Sequence, residues 1–305
     1  MREPRFIVAA ALCCGLFAGG LSTTAVCAQD ASILQSPELT PERSKPRSSE
    51  AESAETGPEA ENPFADHLET DRDSFTPATT TVNRGRWIME SSYSFIDNRR
   101  APDTNSFPEL VLRYGLGENF ELRMGWNFEA GGGGNIVSSI EGDEGLEGAK
   151  FERESRVSYG FKWRVTRQSD WLPESSVLVQ GFTPTSGDAA ATEGAVTYVW
   201  GWELPQRWKL DGAIRYASST DNEDDFAIWN PSTVLRIPVT EQVAVHAEYF
   251  GAIPQGRAGG QSQHFFSPGL HFLPTPDLEI GFRVGWGLND ASARFFVNSG
   301  VGMRF

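Results

Sequence analysis

Charged residues recur at every second position in runs whose intervening positions are apolar. Glu121 and Arg123 alternate with Leu122 and Met124, Lys162 and Arg164 with Phe161, Trp163 and Val165, and Glu279 and Arg283 flank Ile280 and Phe282. On an extended backbone, positions two apart share a face, so each run presents fixed charge on one side and an apolar surface on the other. The candidate set on the charged face is Arg113, Glu121, Arg123, Arg156, Lys162, Arg164, Arg215, Arg236, His246, Glu248, Glu279 and Arg283, with Glu90, Glu109, Glu129, Lys209, Asp211 and Arg304 on the same side. Two chemistries suit such a set. It can form a charged constriction that selects passing solutes, with Arg113, Arg123, Arg164, Arg215 and Arg283 as its leading residues, or a salt-bridged polar core that satisfies its own buried charges. The residues alone favour neither.

Other chemistries find less to work with. All three cysteines, Cys13, Cys14 and Cys27, fall in the first 28 residues, which removes disulfide scaffolds, thiolate metal sites and cysteine catalysis from the remainder. The four histidines are His67, His246, His264 and His271, and no His-x-Ser pair shares a strand face. His246 and Glu248 share one, but a zinc site usually takes three or four ligands, so no metal, cofactor or enzymatic activity is expected. Asp143, Glu144 and Glu147, or the acidic run 221–225, lack the ordered spacing of a calcium loop. The glycines at 131–134 are not followed by the Gly-Lys-Ser/Thr of a phosphate loop. A net charge of -15 argues against nucleic acid as a partner.

The elements that must carry these charges are strands. Alternating segments fall at about 86–97, 106–116, 119–130, 154–166, 174–184, 193–204, 207–218, 226–238, 241–252, 263–273, 277–288 and 294–305, separated by Gly, Asn, Asp and Pro breaks. Each is long enough for a tilted bilayer crossing. Tighter connections are expected after the even-numbered strands, as at 117–119 and 205–207, and mostly longer polar loops after the odd-numbered ones, including GGGGNIVSSIEGDEGLEGAK and SSTDNEDD. An even strand number with this asymmetry predicts an all-β fold, a closed antiparallel transmembrane β-barrel of about twelve strands. A secreted sandwich shares the alternation, but large aromatics on one face of nearly every strand, with Trp87, Trp171, Trp208 and Trp229 near strand ends, suit lipid and its interfaces better. Pro268 falls mid-strand, and ESSVLVQGF has no clear polar face. In the closing FFVNSGVGMRF, Phe305, Met303 and Val301 share the apolar face. A closed barrel predicts that this strand pairs with the first, and Phe305 and Met303 then serve as the signal for barrel assembly.

The rest of the chain bears on location. Residues 1–28 place Arg2 and Arg5 before a short apolar run and end in Val26 and Ala28, the pattern of a cleaved secretory signal. Residues 29–83 hold twelve acidic and four basic residues among Ser, Pro, Thr and Ala, the composition of a disordered acidic tail. Its end, near 68–77, could fold into the lumen as a plug. Residues 84–305 form the barrel. The expected location is the outer membrane of a Gram-negative-type bacterium, with outer-membrane lipids, the barrel assembly machinery and a small-molecule solute as partners.

LETDRDSFTP (68–77), FPELVLRYGLGENFELRMGW (107–126), LVQGFTPTSGD (178–188), AEYFGAIPQG (247–256), LHFLPTPDLEIGFRVGWGLND (270–290) and the terminal FFVNSGVGMRF together resemble outer-membrane barrels of the MetA-pathway of phenol degradation family, often called transporters. The resemblance spans about residues 68–305. It implies a closed barrel and passive passage of small solutes, including aromatic or hydrophobic compounds. The alternative is a structural barrel whose acidic tail recruits a periplasmic partner.

Overall fold

The computed structural model describes residues 68–132, 134–138, 150–187, 191–221, 224–257 and 260–305. The expected secretory signal (1–28), the part of the expected acidic tail up to residue 67, and Asp143, Glu144 and Glu147 lie outside them. The described chain forms β1 (Trp87–Asp97), β2 (Thr104–Gly115), β3 (Phe120–Gly131), β4 (Glu152–Thr166), β5 (Glu174–Ser186), β6 (Glu193–Glu203), β7 (Lys209–Asp221), β8 (Asp224–Pro238), β9 (Val243–Gln255), β10 (Gln263–Thr275), β11 (Leu278–Gly287) and β12 (Phe295–Arg304). Each strand pairs antiparallel with its neighbours in sequence, and β12 closes the ring on β1. Their register runs from Ile88 opposite Arg304 to Asp97 opposite Phe295, and Phe305 and Trp87 exchange backbone hydrogen bonds beyond it. Closure leaves no unpaired edge strand, so each strand has a ladder partner on both sides.

The alternation sets the two faces. In β3, Leu122, Met124 and Trp126 are exposed on the outside while Glu121, Arg123 and Asn127 are buried within. Tyr159 and Trp163 of β4, Ile280, Phe282 and Trp286 of β11, and Val301, Met303 and Phe305 at the end of the chain continue the apolar exterior. An apolar belt outside a ring with a charged inside is the arrangement that lipid rewards and water does not. The four tryptophans expected near strand ends divide between the rims. Trp87, Trp171 and Trp208 lie at the end of the short turns, and Trp229 bonds Gln255 toward the other.

Two local readings change. The segment SSTDNEDD, expected as a long loop, is mostly strand: β7 and β8 stay paired to Asp221 opposite Asp224. Ser, Thr and Asp mimic a loop composition, but backbone pairing with a neighbouring strand does not require apolar side chains, and Ser219 still faces inward, its hydroxyl donating to Glu193 Oε1 at 3.2 Å. Pro268 sits inside β10 opposite Ala247 of β9. On the β11 side the ladder breaks between Phe266 and Gly269, where the proline has no N–H to give. The Ser267 hydroxyl donates instead to the Val284 carbonyl at 3.0 Å.

Residues 68–82, grouped above with the acidic tail, are buried inside the ring almost throughout. The segment enters at the short-turn end, where the Leu68 amide donates to the Pro276 carbonyl and the Thr81 hydroxyl to the Glu118 carbonyl. Between those points it doubles back on itself: the Ala78 amide donates to Asp71 Oδ1 at 2.8 Å and the Thr80 hydroxyl to Glu69 at 2.5 Å. Room for it comes from the small inward residues of the last two strands. A Cβ on Gly302 would lie 2.3 Å from Thr70 Cγ2, so only glycine lets this wall and the segment approach so closely.

Candidate functional site

In the half of the lumen next to the short turns, the walls offer charge and the inserted segment answers it. Asp71 receives Arg123 Nη1 at 2.5 Å and Lys162 Nζ at 2.9 Å, and Arg113 Nη1 stands 3.7 Å away. Lys162 also donates to the Ala78 and Thr80 carbonyls. Arg113 is itself forked against Glu121 at 3.0 and 3.1 Å, and it reaches Glu90 at 2.9 Å and the Glu69 carbonyl at 3.0 Å. Glu90 accepts the Asp71 amide, and Glu121 accepts the Val82 amide. Across the ring, Glu248 accepts the Phe75 and Thr76 amides and the Thr76 hydroxyl at 2.7–2.9 Å, while Arg283 donates to Glu248 at 3.1 Å. Arg236 bridges Asp211 and the Ser74 hydroxyl, each at 2.7 Å.

These contacts fix the ionisation of the segment. Burial opposes a charge on Asp71, but Arg113, Lys162 and Arg123 outweigh it and hold its carboxyl well below the ordinary carboxylate range. Asp73 is likewise buried and is held far below that range by His271 and Arg236. Glu69, nearer the mouth and only half-buried, is lowered to about 2, the Lys209 ammonium 2.6 Å away overcoming the cost of that partial burial.

Toward the long loops the lumen changes character on the side of β8, β9, β10, β12 and β1. Phe226, Ile228, Phe250, Phe265, Phe296 and Ile96 point inward and are buried together with Ile136 and Val137 from the β3–β4 connection. The tip of the inserted segment joins them. The Phe75 ring lies parallel to Phe250, centroids 4.4 Å apart, and Phe250 stacks in turn on Phe265 at 4.9 Å. Arg283 marks the border, its guanidinium 5.4 Å from the Phe296 ring and donating to the Val137 carbonyl. Arg72 of the segment also bonds Ser138 at 3.0 Å, so the insert and the β3–β4 connection touch.

The structure therefore gathers Arg113, Glu121, Arg123, Lys162, Arg236, Glu248 and Arg283 around residues 68–82, and Glu279 joins them by accepting the Thr70 hydroxyl. His246 is buried beside His271 and reaches the segment through it. Three candidates stand apart. Arg156 pairs with Glu154 and Glu193 toward the long loops, and Arg215 bonds Asn230 and lies over the Phe182 ring there. Arg164 is at the short-turn rim, bonded to Asn119 and the Glu118 carbonyl. The inward aromatics were not among the candidates, because an apolar residue was read as facing lipid. Strand parity carried the missing signal: Phe296 shares the face of Asn298 in β12, and Phe265 that of Ser267 and His271 in β10. Leu178 and Phe182 point inward in β5 by the same parity, which is why that strand shows no polar face.

Below the insert, a cavity of about 480 Å³ faces the short-turn end, within the size range of small-molecule sites. Its lining includes Glu69, Asp73, Arg113, Lys209, Arg236 and His271.

A closed twelve-stranded ring with an apolar exterior and a filled, polar lumen is a barrel of the outer-membrane type. The chain belongs to the family described as "Putative MetA-pathway of phenol degradation", whose model matches residues 70–305. No match is found among curated protein sequences. Among solved structures it is similar to the COG4313 outer membrane channel from Pseudomonas putida F1, at 12% identity and a TM-score of 0.51, over 78% of this chain and 100% of that one. It is also similar to the translocator domain of the autotransporter NalP from Neisseria meningitidis, at 11% identity and a TM-score of 0.47, over 73% of this chain and 90% of that one. The NanC porin gives 9% identity and a TM-score of 0.48, over 70% and 98%.

Proposed function

We propose that the protein is an outer-membrane channel for passive passage of small aromatic or hydrophobic solutes, and that residues 68–82 form its plug. The observation that carries this reading is the parallel stack of Phe75 on Phe250 inside a cluster of inward aromatics. A lumen wall that binds a flat ring is filled by a ring from the chain's own insert, and a solute of the same shape competes for that place. The family description, which names phenol degradation, agrees with such a solute. In this orientation the short turns and the cavity face the periplasm and the long loops face outward. The inward charges then hold the plug and line the path it vacates, and neither role calls for catalysis.

The density of bonds between plug and wall favours a second reading, a structural barrel that never conducts. Planar-bilayer recordings separate the two. The wild type should show rare, small openings. Gly302→Val, which intrudes on Thr70 without changing any charge, and deletion of residues 68–82 should each give frequent, larger conductance. A deletion variant that migrates as a folded barrel yet stays silent would overturn the channel reading.

A further inference from the structure

Asp73, His271 and Glu279 bring one ligand atom each to a single point, all within 4.8 Å of one another. They come from three separate elements: the insert, β10 and β11. His271 stands directly opposite Gly281 in the β10·β11 ladder, so the wall has a notch beside it. Asp73 fills the notch, its Cβ 3.2 Å from where a Gly281 side chain would begin. His271 Nδ1 then meets Asp73 Oδ2 at 2.5 Å and Glu279 Oε1 at 3.0 Å. Two carboxylates thus converge on one imidazole nitrogen, whose single proton must be shared between them.

The other side of the ring is arranged as a metal ligand requires. His271 Nε2 lies 2.6 Å from His246 Nδ1. When Nε2 carries the proton and donates it there, Nδ1 keeps its lone pair and faces the two carboxylates, the outer hydrogen bond that orients metal-bound histidines. His246 is buried, and its own Nε2 has no hydrogen-bond partner, so its ring contributes through Nδ1.

We propose that Asp73, His271 and Glu279 form a binding site for a divalent transition-metal ion of the zinc type. One nitrogen and two carboxylate oxygens, with a fourth position left for water, match that chemistry, whereas calcium takes six to eight oxygens. Metal bonds of about 2.0–2.2 Å in a tetrahedron separate ligand atoms by roughly 3.3–3.6 Å, so an ion has to spread the present contacts by about 1 Å or less. Asp73 offers Oδ2 to the site while its Oδ1 faces Arg236 Nη2 at 3.7 Å and the Ser74 hydroxyl at 3.5 Å, so a rotation of the carboxylate about its own axis supplies that spread. All three residues line the cavity at the short-turn end, which gives the ion its path. A bound ion would tie the insert to β10 and β11.

The full chain, prepared without a polyhistidine tag, stripped by chelator and kept folded in detergent, is titrated with Zn²⁺ by calorimetry. One Zn²⁺ per chain is expected. Asp73→Asn, His271→Gln and Glu279→Gln should each weaken it by about 100-fold or more, the upper end of what even outer partners contribute. His264→Gln, on the exterior beside Tyr249, should leave it unchanged. Migration as a folded barrel qualifies each variant, and Asp73→Asn alters no wall residue, so at least one ligand variant keeps the barrel. No binding by the wild type, or affinity retained in Asp73→Asn, would overturn the site. The readout is binding alone, so this result stands or falls independently of conduction.

Discussion

The two halves of the lumen hold the same insert by opposite means. Near the short turns, Asp71 is clamped by Arg123, Lys162 and Arg113, all buried. Near the long loops, Phe75 is held by ring contact with Phe250 in an apolar cluster. A buried charge cluster is unforgiving, because removing one partner strands the others in a poorly solvated site. An aromatic stack is graded, and any flat apolar ring can replace one member. The charged half therefore fixes where the insert docks, and under the proposed function the aromatic half is where a solute would displace it.

The largest expected effect is at the charged end. Asp71→Ala leaves Arg123 and Lys162 without their common partner, a loss of about 3–5 kcal/mol for a buried pair. The docking equilibrium should shift by roughly 10²–10³-fold or more, read as single-channel open probability. If Asp71→Ala opens the channel no more than an aromatic substitution does, the division between anchor and gate fails.

At the aromatic end the expected change is smaller but more specific. Phe250→Leu keeps the site apolar and removes the stack, worth about 0.5–1.5 kcal/mol. Basal open probability should rise about tenfold at most. Phenol added to the long-loop side should raise the open probability of the wild type and have little effect on Phe250→Leu. An unchanged phenol response in that variant would place solute entry elsewhere.

The same contrast explains what could be read before the fold was known. The twelve strands and the charged face were legible, because each strand states its two faces through period-two alternation, and closure follows from an even count with asymmetric loops. The aromatic half was hidden by the rule that apolar residues face lipid; it fails wherever the lumen is filled by protein, as at Phe265 and Phe296. The β7–β8 hairpin was hidden because its tip is written in Ser, Thr and Asp, so the alternation of faces there, with Ser219 buried and Ser218 exposed, carries no change of polarity to detect. The partners of the insert were hidden for a different reason. Asp73 meets His271 and Glu279 across about two hundred residues of chain, and only the ring's closure brings positions so distant in sequence to one point.

The smallest effect expected lies at the mouth. Glu69 pairs with Lys209 and accepts the Thr80 hydroxyl, which closes the base of the insert. Its carboxyl is lowered from an ordinary 4.5 to about 2, so docking binds fewer protons than release does. The contribution of this pair is therefore complete above about pH 4.5 and declines as pH falls from there toward 2. Its side chain keeps 37% exposure, so solvent and salt screen the pair, and the gain in open probability between pH 6 and pH 3.5 should be modest. Glu69→Gln removes the titrating group and should flatten that part of the profile while leaving the phenol response of Phe250 intact. A profile unchanged by Glu69→Gln would assign the acid sensitivity to another group and restrict the electrostatic anchor to the deeper cluster around Asp71.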